Sequence, residues 1–204
     1  MDEVPNFQAE VRQLLRDRLL DAATEIVCGE GWAAVTMSGV ADRVGVSRQM
    51  LYKDIGAKQA LGQALVGRET NRFITGIVER LRAHESDAVA GMTAAADFTL
   101  RTGAENALLK AIVAGAHGSD AGLLPLLTAQ TEPVLQRVID AITAEAKTLD
   151  GTLHMGERQL THAIEVVVRL TLSHLLQPVG PAERAVDQIR LVITPLLHPI
   201  ARPY

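Results

Sequence analysis

Apolar residues recur every three or four positions at the start of the chain, which is the spacing of one face of an α-helix. Between Gln8 and Glu30 charged residues separate these positions, which are Val11, Leu15, Leu19, Ala22 and Ile26. The pattern predicts one amphipathic helix that Gly31 ends. Two short helices are predicted next, from Thr36 to about Val44 and from Ser47 to about Ile55, because a hydroxyl residue heads each one and can cap it.

The rest of the chain repeats the helical spacing in longer segments. These predict a helix from residue 57 or 58 to residues 84–87, then helices at about 87–101, 104–116, 122–149, 157–177 and 182–198. Pro133 lies inside one periodic run, so we expect it to kink or split that helix. Aromatic residues make up only 3% of the chain, whereas strands favour them. We therefore predict an all-α protein of about nine helices.

Of the last two predicted helices, the one at 157–177 is apolar around most of its circumference, and the one at 182–198 carries an apolar stripe with Leu191 and Val192 outside it. A helix of this kind needs a second surface to cover it. Two copies of the chain could supply that surface by forming a four-helix bundle, so we expect a homodimer through these helices. Burial of both helices within a monomer is the alternative.

The amino-acid composition predicts the cellular compartment of the protein and the state of its cysteine. The single cysteine, Cys28, allows no disulfide within the chain, and its apolar surroundings predict a buried side chain in a reducing cytoplasm. No basic head followed by an apolar run opens the sequence, and no window holds eighteen uninterrupted apolar residues. We therefore expect a cytoplasmic protein that is neither exported nor membrane-spanning.

The sequence offers no pattern typical of an enzyme. The six histidines include no close pair with a third ligand at metal spacing, and HExxH is absent. A phosphate-binding glycine motif and a nucleophile elbow are also missing. We expect no catalytic activity, no metal and no cofactor.

Basic residues gather around one glycine in a chain whose net charge is −4: they are Arg43, Arg48, Lys53 and Lys58. Ala41 lets the second helix pack closely, Gly45 can take a left-handed turn, and Leu51 faces a small core with Val40, Val44 and Val46. This spacing predicts a helix-turn-helix. The alternative is that these basic residues form an exposed charged face that contacts only water.

Residues 10–65 resemble the amino-terminal domain of the tetracycline-repressor (TetR) family. The segments RLLDAATEIVCGEGW and VTMSGVADRVGVSRQMLYKDIGAKQAL carry that family's pattern of threonine, apolar-Ala, Gly-Val-Ser, Leu-Tyr and Lys-x-x-Leu. The resemblance implies a three-helix DNA-binding domain, placed here at residues 8–56. It also implies a larger helical domain for ligand binding and dimerisation, placed at residues 57–204.

The resemblance implies a set of DNA-binding residues: Thr36, Arg43, Ser47, Arg48, Gln49, Tyr52, Lys53 and Lys58. Tyr52 and Lys58 stand where the family binds DNA phosphates. Such contacts fix the position of the protein on the duplex but do not recognise its base sequence. Arg48, Gln49 and Lys53 stand where the family meets base edges. Arginine and lysine suit guanine, and glutamine suits adenine.

Two residues depart from the family pattern, because Asp54 and Ile55 stand where aromatic residues or a histidine are usual. Ile55 can still fill the core. Asp54 would repel phosphate, so it must point aside, pair with Lys58 or accept from a cytosine amino group. The acidic Asp2 and Glu3 argue against a basic arm before Gln8.

The resemblance also implies a small-molecule cavity in the larger domain. The candidate lining residues are Met92, Phe98, Leu108, Ile112, Leu127, Thr131, Leu135 and Val167, and His174 is among the further polar candidates. Small residues in AVAGMTAAADFTL allow either tight packing or a void between helices. The aliphatic composition favours an apolar ligand.

Together these features predict a cytoplasmic, dimeric, ligand-responsive regulator that binds a palindromic operator in double-stranded DNA. We expect it to repress neighbouring genes until a small apolar molecule releases it. One alternative is a regulator that responds to a protein partner. The other is a helical ligand-binding protein that has lost DNA affinity, for which Asp54 is the only hint.

Overall fold

The computed structural model describes residues 7–110, 131–150, 152 and 155–197, and these residues form helices without a β-strand. The α-helices with described bounds are α1 Phe7–Glu30, α2 Met37–Val44, α3 Arg48–Asp54, α4 Lys58–Arg82, α5 Ala88–Glu105, α6 Thr131–Ala146, α7 Glu157–Leu176 and α8 Ala182–Leu197. A short 3-10 helix lies at Trp32–Ala34, and residues 107–110 are also helical. The predicted all-α class is confirmed. None of the described helices combines the length and the apolarity that a bilayer crossing needs.

The described residues fall into two compact units. The first unit contains residues 7–68 and 107–110, and the second contains residues 69–106, 131–150, 152 and 155–197. The first unit extends into α4 because Leu61 and Leu65 are fully buried in its core. Arg68 adds hydrogen bonds to Asp21 and Thr24 of α1. The predicted division between residues 56 and 57 stays a prediction.

The core of the first unit forms where the buried stripe of α1 meets the two short helices. Leu19 and Ala23 on α1 are fully buried, as are Val40 on α2 and Leu51 on α3. Full burial of a leucine side chain contributes about 1.5–3 kcal/mol. These contacts therefore fix both short helices against α1.

The core of the second unit joins α5, α7 and α8. Small residues on α5, among them Ala88, Gly91 and Ala95, are buried there and allow neighbouring helices to approach closely. Ile164 on α7 and Ile189 on α8 are each exposed by 1% or less. These three small residues thus serve tight packing, which is one of the two outcomes that the sequence allows.

The structure corrects two local predictions. The helix predicted over 87–101 ends later, at Glu105, where the extended backbone of Asn106 stops it. The helix predicted over 104–116 is separate from it: residues 107–110 are helical, and the rest of that prediction lies outside the described residues. Cys28 is exposed rather than buried. It follows the buried Val27 by one residue, and one helical step turns a side chain by about 100°.

The helix α6 is described from Thr131 onward, so Pro133 lies near the start of its described part. The expected kink or split at Pro133 stays a prediction. The part of the predicted helix before residue 131 lies outside the described residues.

Candidate nucleic-acid interface

Each short helix begins at the hydroxyl residue that the sequence predicts. The Thr36 Oγ1 atom accepts a 3.0 Å hydrogen bond from the Gly39 backbone N–H. The Ser47 Oγ atom accepts one of 3.1 Å from Met50. Both caps satisfy backbone donors that a helix start otherwise leaves unpaired, and they fix where α2 and α3 begin.

The turn between α2 and α3 depends on Gly45, whose φ of 77° and ψ of 32° place it in the left-handed region. Its N–H donates to Ala41 and Asp42, and the N–H of Val46 also donates to Ala41. This is the Schellman ending of a helix, which strongly favours glycine at that position. It sets the angle at which α3 leaves α2.

The helix α3 has one buried and one exposed face. Leu51 is fully buried and the adjoining Ile55 is 9% exposed, and both pack into the core of the first unit. The exposed face carries Arg48, Gln49, Tyr52 and Lys53. The structure thus brings together the side chains expected to meet base edges, on a helix that Leu51 holds in place.

These exposed side chains form few hydrogen bonds or ion pairs with other described residues. Arg48 donates a long 3.5 Å hydrogen bond to the Tyr52 hydroxyl, and its guanidinium carbon lies 5.6 Å from the centre of that ring. Gln49 and Lys53 form no hydrogen bond or ion pair with any other described residue. Their donors could therefore bind DNA without breaking a protein contact.

Arg43 and Lys58 are engaged within the first unit. Arg43 forms exposed ion pairs of 3.5 Å with Glu25 and 3.3 Å with Glu30. The Lys58 ammonium donates to the Ala33 carbonyl and lies 5.0 Å from the Trp32 ring centre. Exposed ion pairs typically contribute about 0–1 kcal/mol, so exchanging the carboxylates on Arg43 for a phosphate would cost little.

Asp54 is half-buried, and its Oδ2 atom is buried without a hydrogen-bond partner among the described residues. Its backbone carbonyl accepts a 3.3 Å hydrogen bond from Arg16 of α1. The Lys58 ammonium donates to the Ala33 carbonyl, so pairing with Lys58, one of the three alternatives for Asp54, is not present. The Asp54 side chain lies beside Lys53 in the lining of a groove between α1 and α3.

Sequence reasoning missed Arg16, which ties the last turn of α3 to α1. The two bonded residues are 38 positions apart, and Arg16 has the same helical spacing as other charged residues of α1. No local signal could have distinguished it.

The candidate ligand-lining residues are not all in one place. Met92 and Val167 belong to the core of the second unit, and Phe98 and Leu135 pack against that core. Leu108 is 3% exposed and belongs to the core of the first unit. Ile112, Leu127 and the Thr131 side chain lie outside the described residues.

Both units match known families. The profile of the tetR family of bacterial regulatory proteins matches residues 19–65. The profile of the bacterial tetracyclin repressor C-terminal domain matches residues 87–195. The first match contains α2, α3 and the Gly45 turn, so it includes every candidate DNA-binding residue from Thr36 to Lys58.

Two curated relatives are transcriptional regulators, one similar over most of the chain and one over about a third of it. The HTH-type transcriptional regulator AlkX of Mycobacterium tuberculosis (strain H37Rv) is 30% identical over 191 residues, or 93% of this chain and 88% of that protein. The HTH-type transcriptional activator FasR of Mycolicibacterium smegmatis is 36% identical over 67 residues, or 33% of this chain and 31% of that protein.

A solved structure shows the same fold. It is the TetR family repressor AlkX from Dietzia sp. strain DQ12-45-1b, implicated in biodegradation of n-alkanes. The similarity has a TM-score of 0.72 at 24% identity and covers 91% of this chain and 96% of that one.

Proposed function

Because the chain belongs to the tetR family of bacterial regulatory proteins, we propose that it represses neighbouring genes until a small apolar molecule releases it from DNA. The chain is a helix-turn-helix transcriptional regulator, as its relatives are. One observation carries the DNA-binding part of the proposal: α3 exposes Arg48, Gln49 and Lys53 while Leu51 is fully buried in the core. Such a helix can enter a major groove while its buried face stays packed in the core of the first unit.

The proposed DNA contacts divide into two classes. Arg48 and Lys53 donate to guanine O6 and N7, and Gln49 pairs with adenine. The remaining groups bind phosphates and set register: they are Thr36, Arg43, Ser47, Tyr52 and Lys58.

A regulator of this kind acts where the chromosome lies, which supports the cytoplasm as its compartment. The relatives are named as regulators, so we assign the chain no enzymatic role.

Regulators of this family act as dimers, and α7 and α8 are the proposed dimer surface. Large apolar side chains remain exposed along them and in the loop between them: Val166 at 47%, Leu176 at 45%, Val179 at 74% and Leu191 at 74%. Apolar surface of this kind is stabilised when a second copy covers it. A two-fold dimer would also present two α3 helices to the two halves of a palindrome.

Replacing Leu191 by glutamate is expected to shift the protein from dimer to monomer at micromolar concentration, because a charge would be buried against the second copy. Analytical ultracentrifugation measures this. The matched control is Leu14→Glu, which changes an exposed leucine of α1 in the first unit and should leave the dimer intact. A Leu191→Glu protein that sediments as a dimer would contradict the proposed surface.

The proposed ligand is apolar and aliphatic. Met92 and Val167 belong to the core of the second unit, Phe98 and Leu135 pack against it, and all four stay the proposed lining residues. The half-buried His174 has an Nε2 atom without a hydrogen-bond partner among the described residues, so a ligand could supply one. The Dietzia repressor is implicated in n-alkane biodegradation, which makes n-alkanes sensible first probes.

In vitro transcription from the DNA upstream of the gene tests the proposed function. The purified protein should lower the amount of transcript, and n-dodecane should restore it, because release requires tighter ligand binding to the conformation that does not bind DNA. Sucrose, a polar molecule, serves as the control and should have no effect. A rise in the amount of transcript on adding protein would contradict repression. An amount of transcript that n-dodecane leaves unchanged would contradict the ligand class.

A further inference from the structure

The helix α1 begins well before the core of the first unit. Its buried residues start at Leu19, whereas Phe7 is 75% exposed, Val11 49% and Leu14 58%. The first three turns of α1 therefore bury little within the described residues. They are available to contact another molecule.

These turns form one wall of a groove whose other wall is α3. The groove has a volume of about 840 Å³ and is lined by residues that include Gln8, Val11, Arg12, Met50, Lys53 and Asp54. Lys53 and Met50 also belong to the surface of α3 that is proposed to face DNA. The groove is thus continuous with the proposed DNA interface.

Charge favours DNA as the occupant of this groove. Of the described residues that line it, Arg12, Arg16 and Lys53 are basic and Asp54 alone is acidic. Arg16 is held by the Asp54 carbonyl, so the orientation of α1 beside α3 is fixed. Arg12, one turn earlier on α1, is exposed and has no hydrogen-bond or ion-pair partner among the described residues.

We propose that Arg12 contacts a DNA phosphate beside the bases that α3 meets, so that α1 forms a second element of the interface. The proposal rests on the proposed function. The apolar floor at Val11 and Met50 can support the alkyl stems of Arg12 and Lys53 while their charged ends reach the rim. A phosphate contact made there fixes register and carries no sequence information.

The test uses the full-length chain and two duplexes, the DNA upstream of its gene and a scrambled duplex of equal length. Fluorescence anisotropy gives the affinity of Arg12→Ala at several salt concentrations. We expect binding to both duplexes to weaken by the same factor, about tenfold for a dimer that loses two contacts. The slope of log affinity against log salt should become less steep by about 1.8, since each lost phosphate contact removes about 0.9.

Arg18→Ala is the matched control, because Arg18 is an exposed arginine of the same helix that does not line the groove. It should bind both duplexes as the unchanged protein does. Circular dichroism of both variants should show unchanged helix content.

Three results would overturn the proposal. The first is an Arg12→Ala protein with unchanged affinity and salt slope. The second is a loss confined to the upstream duplex, which would indicate base recognition. The third is unchanged DNA binding together with a lower sedimenting mass for Val11→Asp, which would assign the groove to a protein contact. If the unchanged protein binds neither duplex, the proposed function itself fails.

Discussion

Replacing Arg48, Gln49 and Lys53 together by alanine is expected to reduce the affinity for the operator to the level of non-specific binding, a loss of about a thousandfold or more. The three side chains are exposed on α3, and each good contact to a base edge discriminates by about 1–3 kcal/mol. The buried face of α3, with Leu51 at its centre, is untouched by the change. The fold should therefore survive while sequence recognition is lost, as anisotropy titrations with operator and scrambled duplexes can measure.

A control triple of the same composition exists in the second unit. Lys147, Arg158 and Gln159 are all exposed, and among the described residues Lys147 forms an ion pair with Glu157 whereas Arg158 forms none. Their replacement by alanine should leave operator affinity within a factor of about two, because exposed ion pairs contribute little. Equal losses in the two triples would indicate a general effect of charge rather than recognition by α3.

Replacing Gly76 by alanine is expected to destabilise the second unit by about 1–3 kcal/mol, the usual cost of overpacking a core. A Cβ atom at this position would overlap the ring of Phe98. The ring cannot easily yield, because the Arg80 guanidinium lies 4.1 Å from its centre and the Phe73 ring packs at 6.3 Å. Urea unfolding followed by circular dichroism measures the loss.

Gly67 on the same helix supplies the control. A Cβ atom there meets nothing within 4 Å, so Gly67→Ala should stabilise by about 0.5–1 kcal/mol through the higher helix propensity of alanine. Adding Phe98→Leu to Gly76→Ala should recover part of the loss. Equal stability of Gly67→Ala and Gly76→Ala would show that the contact with Phe98 does not constrain α4.

The sequence predicts the helix-turn-helix well because its determinants are local. Thr36 and Ser47 cap helices through bonds three residues away, and Gly45 ends α2 through its own backbone conformation. Hydrophobic spacing also places Leu51 in the core. Each of these features depends on a short stretch of chain.

Features that depend on distant partners could not be predicted. The ion pairs of Arg43 with Glu25 and Glu30 join α2 to α1, and no spacing rule connects them. Leu108 illustrates the same limit, since its apolar pattern resembles that of its neighbours but it packs in the first unit. Periodicity identifies a buried face without identifying what covers it.

Methylation protection by dimethyl sulfate would test directly whether α3 enters the major groove. The reagent attacks guanine N7 in the major groove and adenine N3 in the minor groove, so it distinguishes the two edges of the base pairs. With the protein bound to its operator, we predict two clusters of protected guanine N7 atoms about one helical turn or more apart. Protection restricted to adenine N3, or unprotected guanines throughout the bound segment, would contradict a recognition role for Arg48, Gln49 and Lys53.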